Sequence, residues 1–367
     1  MKIPLLDLKA QYRSIKTEVD AAVKKVIEAQ DFILGEEVRE FEKEIAGYCS
    51  VKYGVGVASG TDALILALRA LDIGSGDEVI VPPFTFFASA EAVSIVGAKP
   101  VFVDIDPATY NIDPRLIEKN ITKRTKAIMP VHLYGQCADM DPILAIAKKR
   151  GLKVVEDNAQ AIGATYKGRK SGSMSDIAAL SFFPSKNLGA FGDAGMVVTN
   201  DEKLAERVKS LRVHGGAVQY VHSEIGLNSR LDNLQAAVLR IKLKYLDKWL
   251  EARRENAAFY NEKLKGTPVV CPHVPDHNVH TYHQYTLRVK SGQEKIIKYL
   301  SDNGIGTRIY YPIPLHMQDC YKSLGYKKGS MPASEAAAQE VFSIPVFPEL
   351  SPEQKAYITG KIAAFPF

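Results

Sequence analysis

Cysteine is sparse and scattered in this 367-residue sequence. The four that occur, Cys49, Cys137, Cys271 and Cys320, show no CxxC spacing, which argues against a zinc site and against a disulfide framework. No metal is expected. No apolar run approaches the ~20 residues that a membrane-spanning helix needs, and the opening Met1-Lys2-Ile3-Pro4 does not read as a signal peptide. A strong charge of either sign is also missing. The net value is +5 with both signs dispersed, too mild to suggest nucleic acid as a partner, yet no obstacle to an anionic ligand. Internal repeats and low-complexity segments are absent. The expectation is a cytoplasmic protein with neither membrane nor nucleic acid as a partner.

What is present is ordinary globular composition, 46% apolar and 24% charged. The length suggests one large domain with a smaller companion. Residues 10–29 and 36–48 carry helical periodicity, with Val19, Val23, Val26 and Ile27 on one face of the first. From there to about residue 200, short apolar strands alternate with helical patterns, the signature of a parallel sheet covered on both faces. A long amphipathic stretch follows the irregular segment Ala217–Gly226 and runs to about Lys265. Gly266-Thr267-Pro268 reads as the boundary, giving a large domain over 1–265 and a small one over 266–367. The small one reads as an α+β layer: a strand over Tyr282–Val289, a helix over Lys295–Asn303, a strand over Gly304–Pro312, then helices Pro332–Val341 and Pro352–Ala364.

Three stretches carry chemistry. Ser181-Phe182-Phe183-Pro184-Ser185-Lys186 leaves the apolar run Ile177–Leu180 and enters a tight, glycine-bearing loop. A lysine there is poorly placed for a solvated charge and well placed for an amine whose pKa must fall before it can attack a carbonyl. On this loop alone, an ordinary surface lysine in a strand connection is the commoner case. Upstream, the apolar Val154-Val155 run ends in Glu156-Asp157 and then turns polar, as at the C-terminal edge of a parallel strand, where open α/β sheets bind ligands. Taken alone, Asp157 could as easily cap a helix. Third, Ser59-Gly60-Thr61 opens a helix whose free N–H groups form an anion site. The glycines at 54, 56 and 60 place the third one residue late for GxGxxG, which argues against dinucleotide binding.

Together, Asp157-x-x-Gln160 followed by Ser181-Phe182-x-x-x-Lys186 resembles the DegT/StrS type of pyridoxal-phosphate (PLP)-dependent nucleotide-sugar aminotransferase. The likeness runs from Leu5-Leu6-Asp7-Leu8 to the C-terminal region. It implies an aspartate aminotransferase-like α/β fold (fold type I), and a ping-pong transfer of an amino group from an amino acid, L-glutamate, to a nucleotide-linked keto sugar. By the same resemblance Lys186 binds PLP and shuttles the proton, and Asp157 pairs with the ring nitrogen. Phe86 stacks on the ring, Gln160 touches the ring or its phenolic oxygen, and Gly60, Thr61 and Ser181 hold the phosphate. The Gly226-x-Asn228-x-Arg230 motif implies a homodimer with shared sites, Asn228 reaching the neighbouring subunit's cofactor phosphate. Arg230, His214, His316 and Arg308 are candidates for the sugar-nucleotide site. Asn158 departs from the family, where many members carry Ala. The segment Gly192-Asp193-Ala194-Gly195 resembles the group acting on 3-keto rather than 4-keto sugars. Sugar dehydratases on the same fold replace the lysine with histidine, so Lys186 argues against that activity. A regulator that kept the fold without catalysis would not need Asp157, Ser181, Lys186 and Asn228 together.

Overall fold

The computed structural model describes residues 1–216, 218 and 220–367; of the irregular segment 217–226, Ala217 and Gln219 lie outside the described residues. The strands in chain order are β1 (Tyr53–Val57), β2 (Glu78–Val81), β3 (Lys99–Phe102), β4 (Thr125–Ile128), β5 (Lys153–Asp157), β6 (Thr165–Tyr166), β7 (Arg169–Lys170), β8 (Ile177–Ser181), β9 (Gly195–Thr199), β10 (Asn278–Val279), β11 (Tyr285–Arg288) and β12 (Val341–Ile344). Seven form one sheet in the order β1-β9-β8-β5-β4-β2-β3. All run the same way except β9, which is antiparallel to both its neighbours.

Both faces of this sheet are dry, which is why its strands read as unbroken apolar runs. In β8, Ile177 and Ala179 face one core with Val197 of β9. Ala178 and Leu180 face the other with Met196 and Val198. The helix Gly60–Ala70 lies in the first core, buried through Ala63–Leu68. The helices Glu36–Tyr48 and Asn233–Leu243 cover the second through Phe41, Ile45, Ala236 and Leu239.

A further core surrounds the antiparallel pair β11–β12 and the helices Gln293–Asp302 and Pro352–Ala363. It draws in Ile3 from the N-terminus, and Ala257 and Tyr260 from the helix Leu246–Lys263. That helix bridges, because its other residues Leu246 and Leu250 lie in the main core. Two sequence expectations are corrected here. The amphipathic stretch from Gly226 is not one helix: it begins extended and then forms two helices, which break at Lys244 and Tyr245. Nor is 304–312 a strand. Ile3 claims the backbone of Gly304 and Gly306 (Ile3 N to Gly304 O, 2.8 Å; Gly306 N to Ile3 O, 2.8 Å), and only Arg308 pairs with Ser343. The true partner of β11 is β12, which begins at Val341 where the sequence suggested the last turn of a helix.

The sheet's C-terminal edge is anchored by one buried acid. Glu156, fully buried, accepts hydrogen bonds from His132 Nε2 (2.8 Å), Gly172 N (2.8 Å), Met174 N (2.9 Å) and Ser175 Oγ (2.8 Å). Ala138 N donates to His132 Nδ1, which makes Nε2–H the donor to Glu156. Burial alone would raise the Glu156 pKa, but these donors hold it below the usual carboxylate range. The strand end that carries Asp157 is thereby tied to two loops. Glu156→Gln turns an acceptor into a donor that faces another N–H, and is expected to destabilise the chain by about 2–4 kcal/mol. Urea denaturation checks this; an unchanged midpoint would show that the network is dispensable.

Candidate active site

Asp157 sits at the end of β5, 4% exposed. Its Oδ2 accepts from Ser89 Oγ (2.7 Å) and its Oδ1 from Ala159 N (3.2 Å). Ser89, itself fully buried at the start of the helix Ala88–Ile95, is hydrogen-bonded in turn to Thr85 Oγ1 (3.1 Å). The carboxylate is therefore oriented by neutral donors and keeps spare acceptor capacity for something else. Sequence reasoning missed Ser89, since nothing in its local pattern separates it from a helix-start serine.

Lys186 lies on the loop after β8. The residue as a whole keeps some solvent contact, but its amine is deep enough for desolvation to dominate. Burial brings its pKa down from 10.5 to about 8, and the charge of Asp157 works in the opposite direction. The loop is wound tightly: Lys186 N donates to Phe183 O and Ala190 N to Phe182 O, both at 2.8 Å. At Gly189 a Cβ would fall 2.4 Å from Pro184 O, so only glycine fits that approach.

Gln160 has a more definite job than its sequence position suggested. Its Oε1 accepts from Tyr134 N (2.8 Å), and its Nε2 donates to the Tyr311 hydroxyl (2.9 Å), which leaves one amide hydrogen free. Tyr311 arrives from the C-terminal part of the chain, and burial raises its phenol pKa. It too was missed; the Tyr310-Tyr311-Pro312 run was read only as a strand. The Phe86 ring lies 6.2 Å from that of Tyr311 and is 55% exposed, available for stacking.

Across the cleft, Ser59 caps the helix Gly60–Ala70 by accepting from Asp62 N (3.1 Å). Gly60 packs on Ser181, where a Cβ would fall 2.6 Å from the serine Cβ, so the helix N-terminus and Ser181 form one cradle. Thr61 is the next residue of that turn. Ser229 Oγ donates to Asp62 (2.6 Å) and accepts from Ala58 N (3.2 Å), which brings the Asn228–Arg230 segment alongside. Asn228 itself is exposed.

The sugar-site candidates separate. Arg230 and His214 line one cavity of about 850 Å³ together with Tyr220, His222 and Glu224. Arg308 is exposed, two residues from Tyr310. His316 is 2% exposed with Nε2 on Glu335 (3.1 Å), so the structure packs it inside and does not open it to the cavity. Asn158 is 1% exposed, and among the described residues neither of its amide atoms has a partner.

Comparison with known proteins gives a consistent picture. Residues 13–363 match the model of the DegT/DnrJ/EryC1/StrS aminotransferase family. A dTDP-3-amino-3,6-dideoxy-alpha-D-galactopyranose transaminase of Aneurinibacillus thermoaerophilus is 50% identical over 96% of this chain and 96% of its own. A protein named pleiotropic regulatory protein in Geobacillus stearothermophilus is equally similar, 50% identical over 100% of this chain and 99% of its own. Among solved structures, S. venezuelae DesV superposes with a TM-score of 0.97 at 45% identity, covering 99% of this chain and 98% of that one.

The charge arrangement around Lys186 has a direct consequence. An amine with a pKa near 8 is about half neutral at pH 8. Labelling of Lys186 by an amine reagent in the cofactor-free protein should therefore rise with a midpoint near pH 8, well before exposed lysines react. In Asp157→Asn the charge that favours the ammonium is gone, so the midpoint should move lower still. Mass spectrometry of the labelled peptide reads both; a Lys186 midpoint above pH 10 would contradict the desolvated amine.

Proposed function

The chain belongs to the DegT/DnrJ/EryC1/StrS aminotransferase family, and from that premise we propose that it moves an amino group from L-glutamate to the C3 carbonyl of a nucleotide-linked hexose. The cofactor is pyridoxal 5′-phosphate. The residues present fit that group. The cradle of Gly60, Thr61 and Ser181 at a helix N-terminus suits a phosphate. The buried amine of Lys186 suits an aldehyde, and the neutral-donor setting of Asp157 leaves an anionic acceptor for a ring N–H. The observation that carries the reading is the proximity of an amine with lowered pKa to a carboxylate that makes no ion pair among the described residues.

When bound, the cofactor supplies an electron sink for a substrate carbon that has lost its proton. The remaining work falls to the chain. Asp157 would hold the ring nitrogen in its protonated form, with Ser89 fixing the direction of that carboxylate. Lys186 Nζ would take the proton lost by the donor's α-carbon and give one to the cofactor, then in the second half take one from the cofactor and deliver it to the acceptor carbon. Its pKa near 8 lets the same nitrogen act as base and then acid near neutral pH. Gln160 and Tyr311 together wall one side of the cleft. Phe86 offers an apolar face, and Arg230 and His214 offer cationic and polar groups to a nucleotide diphosphate.

The equally similar relative named as a regulator means that overall identity does not decide between catalysis and sensing. Lys186 and Asp157 favour catalysis. Purified protein given PLP, L-glutamate and a 3-keto nucleotide sugar should form the 3-amino sugar and 2-oxoglutarate. Lys186→Ala should lose at least about 10³-fold in turnover while retaining its fold. Amination of a 4-keto sugar with none of a 3-keto one would overturn the assignment of carbon; normal turnover by Lys186→Ala would overturn the site.

The active site is shared within a homodimer, with Asn228 reaching the cofactor phosphate of a second copy. Supporting this, Ser229 turns inward to Ala58 and Asp62 of its own chain, so its extended neighbour Asn228 faces outward. The adjoining Val218, Tyr220, Val221 and Ile225 are all more than 60% exposed, an apolar surface that a second copy would cover. Asn228→Asp sets a carboxylate against the phosphate. Co-expressed with Lys186→Ala, it should give heterodimers in which one site carries both defects and the other neither, so activity should return partway. Confirmed subunit exchange without any recovery would place both residues in a site built by one chain.

A further inference from the structure

The helix Asn233–Leu243 carries a lysine where a buried apolar residue would be expected. Lys242 is 2% exposed and ranks among the largest fully buried side chains. Its Nζ donates to the carbonyl of Gly189 at 2.6 Å and lies 4.7 Å from the centre of the Phe191 ring. It makes no ion pair among the described residues; Glu349 attracts it only from a distance. Burying an ammonium without a paired acid is costly, so its one close polar contact is informative. Seven residues earlier, two turns back on the same helical face, Gln235 accepts from Phe191 N at 2.8 Å. The amide of Gln235 also comes within 3.1 Å of the place a Cβ would take on Gly192.

Gly189, Phe191 and Gly192 all belong to the loop after β8 that carries Lys186. On its other side Asn187 Nδ2 reaches Thr281 O at 3.3 Å. The loop's internal bonds, Lys186 N to Phe183 O, Ala190 N to Phe182 O and Phe182 N to Ala194 O, close its base. On the return limb Gly189 O and Phe191 N are held from outside, by one face of one helix.

We propose that Lys242, with Gln235, is a positioning residue for Lys186: a two-point clamp that fixes the return limb of the lysine loop and through it the direction of the reactive amine. This rests on Lys186 being the functional amine, but the clamp itself does not. Two contacts on one rigid face set both the height and the twist of the limb, and a displacement of about 1 Å at a reacting group can cost on the order of 10²-fold in rate.

Lys242→Met keeps the length and bulk of the side chain and removes the donor. Lys242→Gln keeps an N–H donor without the charge, and Lys244→Met, an exposed lysine just past the end of the same helix, is the control. In the cofactor-free protein, hydrogen exchange over 183–192 should accelerate at least about tenfold in Lys242→Met, less in Lys242→Gln and not in Lys244→Met. In the PLP-loaded protein, kcat should fall 10- to 100-fold in Lys242→Met with KM for both substrates within threefold. The pH midpoint of the cofactor's visible band, which reports the Lys186 nitrogen, should shift in parallel. If Lys242→Met does not fold by circular dichroism, Gln235→Leu takes its place with the same expected directions. A folded variant with unchanged exchange over 183–192 overturns the clamp. Accelerated exchange with an unchanged band and kcat also overturns it, since the loop would then not set the amine. Loss of the band in the wild type would instead count against Lys186 as the cofactor's amine.

Discussion

Everything at this site depends on removing one amine from water. Desolvation pulls the Lys186 pKa down to about 8, and Asp157 pulls it back. If the acid were closer or better paired with the lysine, the amine would stay charged and inert near neutral pH. The fold resolves this by giving Asp157 to neutral donors, Ser89 and the Ala159 amide, so that the carboxylate is held without being neutralised. Burial and orientation are thus supplied by different elements. The dry sheet supplies the first, and the start of the helix Ala88–Ile95 supplies the second.

The rest of the polar interior is arranged so that it does not compete for the proton. Burial, with the nearby charges of Lys186 and Arg253, holds His283 well below its usual range. His280 is pushed down to about 3 by burial. Both imidazoles stay neutral across the range in which Lys186 titrates. Arg253 donates to Tyr282 O at 3.0 Å, and Asn256 and Tyr260 on the same helix donate to Phe347 O and Pro345 O, each at 2.9 Å. That one helical face is committed to stitching the C-terminal layer to the bridging helix. The burial of Arg253 is then understandable as a tether for the segment that reaches Tyr310 and Tyr311.

Legibility in the sequence followed chain proximity. Asp157-x-x-Gln160, Ser181 to Lys186 and Ser59-Gly60-Thr61 are each contiguous, because each is the end of one strand and the turn after it. Their alternation of two buried faces also made the parallel sheet readable. Ser89, Tyr311 and Lys242 were not readable, since each is brought to the site by topology from a distant stretch and is locally ordinary. The errors in the C-terminal part share one cause. Gly304 and Gly306 satisfy their backbone groups with Ile3, more than 300 residues away, and no local periodicity carries that information. Similarly, Val341 continues an apolar pattern that suits a helix end, but β11 offers it a ladder.

The two buried polar neighbours of Asp157 show what the site tolerates. Glu156 has four donors and is held charged, whereas Asn158, on the same side of the strand, has an amide without partners among the described residues. A buried amide left unpaired costs about 1–3 kcal/mol, while an alanine in its place would cost only the small space vacated. Asn158 comes close to Gly172, whose N–H is already given to Glu156. The backbone at Asn158 is still well tied, its N–H to Ala179 O at 2.9 Å. The side chain is therefore not what holds the strand end; Glu156 is. That division explains how an unpartnered Asn158 can follow Asp157 without disturbing it: orientation of the Asp157 carboxylate arrives from Ser89, on the other face of the strand.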